Sequence, residues 1–317
     1  MNTVLLTGHA GFIGSQILRD LINLGYFVIG LDNLSEGSDV ANYSYFLNHD
    51  SFEMICENME NPSVGSKLKN ILEKNNLNLD YIINCGADSH VDRSWDQIPK
   101  YIDSNIKGPL NLAKIALELK VKKFVQVSTD EVWGGAPQPF TEESIVIPEN
   151  IYSSSKASAE LFLKNFEKAW NLPLVITNGA NTYGPRQNEE KVIPKTISKI
   201  KSGEKIPLYK TPAQRMWLHV TDHSSGIIAA MERGEIGKRY CVAPEKNNEL
   251  YTRELMEMIC SKMNVDSHKF IEEVPDRLNY DLRYYMSNAR IKDELGWEPK
   301  KNINEEIDNI IDFYTKD

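Results

Sequence analysis

A short apolar run, Thr3 to Thr7, ends in the loop GHAGFIG and opens at once into FIGSQILRDLINLG, a segment of helical periodicity closed by Gly25. Strand, tight glycine turn and helix in that order leave few folds open. Glycines at 8, 11 and 14 let the chain turn tightly and let backbone N–H groups approach a pyrophosphate at the helix N-terminus. The next buried run, FVIGLD (27–32), ends on Asp32, 21 residues beyond Gly11. A carboxylate there can take both hydroxyls of an adenosine ribose and would repel a 2′-phosphate. The loop is therefore read as a dinucleotide site for NAD rather than NADP, with a purely structural glycine turn as the alternative. Gly8, Gly11, Phe12, Ile13, Gly14, Asp32 and Asn33 are its candidate contacts.

The same rhythm continues along the chain. FEMIC (52–56), YIINC (81–85), KFVQVS (123–128) and LPLVITN (172–178) read as strands. Between them SVGSKLKNILEKN, a long segment from about 98 to 119, and YSSSKASAELFLKNFEKAW (152–170) carry helical spacing. The strands are continuous apolar runs, which marks a parallel sheet covered by helices on both faces. After Asn178 prolines at 185, 194, 207, 212, 244, 275 and 299 break the rhythm. The expectation is an α/β chain: a Rossmann-type doubly wound parallel sheet over 1–178, with a returning segment near 214–243. Residues 179–317 mainly form a smaller C-terminal substrate-binding domain.

Composition removes several classes of function. With 317 residues and 41% hydrophobic content, the chain is long enough for a substantial core. A net charge of -9 argues against a nucleic-acid binder, though not against a small anionic ligand that feels only local charge. Cys56, Cys85, Cys241 and Cys260 form no C-x-x-C pair and are expected to be free, buried thiols. The six histidines show no metal-ligand spacing, so no metal is expected. No apolar run approaches the ~20 residues of a membrane span, and no leader pattern precedes the first strand. A soluble, cytoplasmic setting is expected, with no membrane partner.

Two further stretches carry chemistry. In NIYSSSKAS, Tyr152 and Lys156 stand four apart, on one face of a helix. An ammonium beside a phenol, together with a positive nicotinamide ring, favours the phenolate and makes it a usable base; alone, such a pair is more often a surface feature. In VQVSTDEVWGG, a strand runs out into Ser128, Thr129, Asp130 and Glu131. Adjacent acids at a strand end are either helix caps or an acid and a base whose environments pull their pKa values apart.

TGxxGxxG followed by YxxxK resembles the extended short-chain dehydrogenase/reductase family. Within it, GADSHVDRS (86–94), VSTDEVWGG (127–135), YSSSKAS (152–158), ANTYGP (180–185), EKVIP (190–194), QRMWLHVTDH (214–223), PDRLNYDLRYYMS (275–287) and ARIKDELGW (289–297) are similar to nucleotide-diphosphate-glucose 4,6-dehydratases. The dTDP-glucose type is the nearest, and the Thr-Asp-Glu triplet discriminates most. Epimerases and decarboxylases of the superfamily usually lack the acidic pair, and a non-catalytic NAD-binding regulatory protein would be expected to lose Tyr152 or Lys156.

The resemblance implies oxidation of a hexose at C4, elimination of water across C5 and C6, and return of the hydride to C6. Tyr152 with Lys156 would start the oxidation, Thr129 would bind the C4 oxygen, Glu131 would take the C5 proton and Asp130 would protonate the leaving hydroxyl. Ser89 would face the hexose. Asn181, Lys191, Arg215 and Arg277, with Arg283, would hold the phosphates and base of a dTDP- or UDP-glucose type substrate. It also implies a homodimer built on the helices near 98–119 and 152–170. Asp88, Trp133, Tyr280, Asn58 and the run YKTP (209–212) depart from the family pattern.

Overall fold

The computed structural model describes residues 1–135, 139–279 and 281–316. Its strands, in chain order, begin with β1 (Thr3–Thr7), β2 (Phe27–Asp32), β3 (Phe52–Cys56), β4 (Tyr81–Asn84), β5 (Lys123–Thr129) and β6 (Leu174–Gly179). There follow β7 (Asn181–Tyr183), β8 (Ile206–Tyr209), β9 (Gln214–His219) and β10 (Arg239–Val242). Among the described residues the central sheet has seven strands in the order β10-β6-β5-β4-β1-β2-β3. Every neighbouring pair is parallel.

The apolar runs explain the layering. Strands β1, β2, β5 and β6 are buried at every position. Successive side chains point to opposite faces, so Leu5 packs with Leu68, Leu112 and Leu163 on one side, while Val4 and Leu6 pack with Ile17, Leu21 and Ile227 on the other. Strand β3 sits at the sheet edge, which leaves Cys56 exposed; Cys85 is half-buried, and only Cys241 and Cys260 are the buried thiols expected.

The long segment near 98–119 differs from one regular helix. It runs Ile98–Ile102, opens into a wider π turn at Asp103–Lys107, and resumes over Gly108–Leu119. Pro109 is the physical reason: it has no N–H to give the carbonyl four residues back, at Asn105. The turn aims buried Asn105 at the GADSH loop. Its amide accepts from Asp88 N at 2.9 Å and donates to the Asp88 carbonyl at 2.9 Å and to Ser155 Oγ at 2.9 Å.

Beyond β6 a second sheet forms around β9, which pairs with β7, Glu249–Tyr251 and Arg283–Tyr284. The helix Val220–Arg233 and β10 then return to the central sheet. No helix among the described residues is long and apolar enough to cross a membrane.

Candidate active site

Strand order reverses between β1 and β4, and the crevice outside the carboxyl ends of those strands is where such sheets bind ligands. The glycine loop is built for close approach there. Gly8 has φ +70, and a Cβ on it would lie 2.7 Å from Gly86 Cα; on Gly14 it would lie 1.9 Å from the Gly8 carbonyl oxygen. Gly11 precedes the helix Phe12–Asn23 with no side-chain cap, so that helix N-terminus is served by bare backbone. Asp32 is held by three donors: Leu34 N at 2.8 Å, Ser38 Oγ at 2.7 Å and Ala10 N at 3.1 Å. Asn33 donates to Asn58 Oδ1 at 2.8 Å.

A cleft of 730 Å³ runs from this loop into the ends of β5 and β6. Gly8, Gly11, Phe12, Ile13, Gly14, Asp32 and Asn33 line one part of it. Ser89, Thr129, Asp130, Glu131, Tyr152, Lys156, Asn181 and Lys191 line the rest. Arg215 and Arg277 are outside that lining, yet both act on the acids through charge. Arg215 donates to the carbonyls of Gln214 and Asp281, both at 2.8 Å, and stacks over Tyr284 at 4.4 Å. Arg277 lies 3.9 Å from Asp92. Arg283 is forked onto Glu249 at 2.5 and 2.8 Å. Across the cleft mouth Arg93 bridges Glu36 at 2.9 Å and Glu190 at 2.8 Å.

The acids occupy the first turn of a short helix, Asp130–Trp133, which Thr129 caps by accepting from Glu131 N at 3.3 Å. Capping is thus the work of Thr129, and the two carboxyls face the cleft. Burial, then the Glu131 charge, pushes Asp130 up to about 7, while Thr129 Oγ1, donating to Asp130 Oδ1 at 3.0 Å, and Arg215 pull the other way. Its other oxygen, Oδ2, is buried without a hydrogen-bond partner among the described residues. Burial also raises Glu131, but an amide from Asn150 at 3.0 Å and the charges of Arg277 and Arg215 oppose it. Two adjacent carboxyls therefore have different surroundings.

Tyr152 and Lys156 sit on the helix Ile151–Trp170, as their spacing predicts. The expected tuning of the phenol is absent from the protein by itself. Burial, then the Glu131 charge, lifts Tyr152 above the ordinary phenol range, with Thr129 opposing. Lys156 donates to the Val127 carbonyl at 2.7 Å, and burial lowers it to about 8. Behind them Asn178 donates to the Thr129 carbonyl at 2.8 Å and to Glu160 at 3.1 Å, and Glu160 is paired with buried Arg239.

Of the departures from the family pattern, Trp133 is buried and stacked on Phe140 with centroids 5.5 Å apart. Asp88 pairs with Lys100 at 2.9 Å. Tyr280 lies outside the described residues. Sequence reasoning did not single out Asn150, whose position just before a helix is an N-cap signal, or Asp281 and Tyr284, which lie within the run PDRLNYDLRYYMS.

Fold, glycine loop and the Tyr-x-x-x-Lys helix together define an extended short-chain dehydrogenase/reductase. More closely, the family model for GDP-mannose 4,6 dehydratase matches residues 5–310, and the chain belongs to that family. It is 33% identical over 319 residues to the low-salt glycan biosynthesis protein Agl12 of Haloferax volcanii, covering 99% of each chain. It is 31% identical over 336 residues to a dTDP-glucose 4,6-dehydratase of Xanthomonas campestris pv. campestris, covering 99% of this chain and 93% of that one. The solved structure of DesIV, a dTDP-glucose 4,6-dehydratase from Streptomyces venezuelae with NAD and TYD bound, matches with a TM-score of 0.92 at 30% identity. That match covers 98% of this chain and 96% of the other.

Proposed function

We propose that this chain is an NAD-dependent nucleotide-diphosphate-glucose 4,6-dehydratase, with dTDP-glucose as the first substrate to try. The carrying observation is one cleft that brings a glycine loop, Tyr152 and two unlike carboxyls together. The loop and Asp32 fit NAD: the helix N-terminus after Gly11 carries no side-chain cap, and Gly8 and Gly14 let the loop close on the Gly86 backbone and on itself with no Cβ between. When bound, NAD supplies the two-electron oxidation at C4 and the matching reduction at C6.

The chain's own residues divide the rest. Tyr152, steered by Lys156, removes the C4 hydroxyl proton, and Thr129 binds that oxygen. A ketone at C4 acidifies the C5–H bond, since the carbanion delocalises as an enolate. Glu131 takes that proton, Asp130, protonated up to about 7, delivers one to the C6 hydroxyl as it leaves, and C5 is reprotonated once C6 has been reduced. Ser89 faces the hexose. Asn181 and Lys191 serve the nucleotide diphosphate from the cleft, with Arg215 and Arg277 supplying charge from behind the acids. Residues 1–178 with a return near 214–243 form the cofactor unit, and 179–317 mainly the nucleotide-sugar unit, of a cytoplasmic homodimer.

The test is incubation of purified protein with dTDP-glucose and UDP-glucose, without added reductant. A 4-keto-6-deoxy product, seen by its absorbance in alkali, is expected from one of them. A 4-epimer, or stoichiometric release of NADH, overturns the reading.

A further inference from the structure

We propose that Asn150 is the positioning residue that makes Glu131 the C5 base, pinning its carboxylate to the first turn of the helix that carries Tyr152 and Lys156. The inference rests on the dehydratase reading and adds a residue to it. Asn150 lies outside the lining of the cleft and is 2% exposed, so it acts through Glu131 and never on the sugar.

Its hydrogen bonds decide which way its amide faces. Asn150 Oδ1 accepts from Ser153 N at 2.8 Å, and Asn150 N donates to Ser153 Oγ at 3.2 Å, so the oxygen is committed to capping the helix. That leaves the NH₂ end to face Glu131 Oε2, to which it donates at 3.0 Å. Capping alone asks for less than this. Ser, Thr, Asp and Asn all serve at an N-cap. Of these, only Asn offers an acceptor for the helix and a separate N–H donor for a second group. The donor goes to the one carboxylate that must stay ionised to act as a base, and it spans 19 residues of sequence to do so.

The other groups facing Glu131 come from several elements. Asp130 shares its turn, and Tyr152 approaches from the helix Ile151–Trp170. Arg215 approaches from β9, with Arg277, Asp281 and Tyr284 from the segment 277–284 and Lys191 from the start of the helix Val192–Ser202. Arginines and the Asn150 amide favour the carboxylate; burial and Asp281 favour the acid. Removing the amide shifts that balance toward the protonated form, so Glu131 would need a higher pH to work.

The experiment compares wild type, Asn150→Ser and Asn150→Asp, each as full-length protein with bound NAD, on dTDP-glucose in deuterated water. Both variants keep an N-cap oxygen, and Asp adds a negative charge beside Glu131. Deuterium entering C5 is followed by mass spectrometry from acid to neutral pH. A lost hydrogen bond to a charged group predicts exchange about 10- to 100-fold slower. The acid limb should move to higher pH by about one pH unit, further for Asp than for Ser, with KM for dTDP-glucose within about twofold. An acid limb that stays where wild type has it overturns the assignment, whatever happens to rate or melting temperature, because a purely structural cap would leave that limb alone. If wild type itself places no deuterium at C5, the dehydratase reading has failed, and this assignment falls with it.

Discussion

Thr129 donates its hydroxyl to Asp130 at 3.0 Å, while Asp130's second oxygen is buried with no partner among the described residues. One backbone step away, Glu131 takes a full amide donor from Asn150. Burial and the Glu131 charge outweigh the bond from Thr129, so Asp130 holds its proton up to about 7 and suits the role of acid.

Three substitutions should therefore fail at different stages. Tyr152→Phe should leave bound NAD unreduced when substrate is added, since no base takes the C4 proton. Asp130→Asn should still reduce NAD, yet slow dehydration by roughly 100- to 10,000-fold while bound NADH accumulates. Glu131→Gln should block deuterium entry at C5. Equal loss of NAD reduction in all three would assign the acids to substrate placement. Single-turnover absorbance of bound NADH is the measurement.

Dehydration should also carry a basic limb near pH 7. Asp130 is raised, so its acid form is present below about 7 and is lost as pH rises through that value. NAD reduction at C4 does not use that proton and should keep its rate across the limb. Stopped-flow traces at several pH values separate the two; a limb shared by both steps would remove Asp130 from the acid role.

The same burial predicts a stability gain. Because the folded group keeps its proton to about 7 while an unfolded carboxyl loses it near 4, wild type loses stability as pH rises between those values. Asp130→Asn does not titrate, so its advantage should be small near pH 4, grow toward pH 7 and then level off. The ceiling is about 1.4 kcal/mol for each tenfold difference in proton affinity between the folded and unfolded carboxyl. Thermal unfolding of the two proteins across that range decides it.

Glu160 and Arg239 form an ion pair whose side chains are 2% and 9% exposed, behind the strand end that bears Thr129. Glu160→Ala leaves a buried guanidinium uncompensated and should cost about 3–5 kcal/mol. Lys69→Ala, which breaks an exposed pair with Glu118, should change stability by at most about 1 kcal/mol. Denaturant titrations of both give the contrast.

Ile98 and Ile102, on a short helix packed against Ile151–Trp170, are 41% and 40% exposed, and Leu161 and Phe162 on the latter are 60% and 48% exposed. If these apolar residues meet a second copy, the protein is a dimer by light scattering at micromolar concentration. Leu161→Asp with Phe162→Asp should then give monomers that stay folded. A wild-type monomer would remove the dimer from the proposal.

The parts legible in sequence were those written in local pattern. Glycines at 8, 11 and 14 announce a loop, and at 8 and 14 only a residue without Cβ fits. Continuous apolar runs announce a doubly covered sheet, and the spacing of Tyr152 and Lys156 puts them on one helical face. What tertiary structure alone decided is the difference between Asp130 and Glu131, identical in kind and adjacent in sequence. That difference comes from Asn150, Arg277 and Asp281, which act on Glu131 from up to 150 residues away along the chain. The bond of Lys156 to the Val127 carbonyl, and the fork of Arg283 onto Glu249, are likewise pairings that no spacing announces. Desolvation and Coulomb energy depend on distance in space, and the chain acquires those distances only once the strands have lined up.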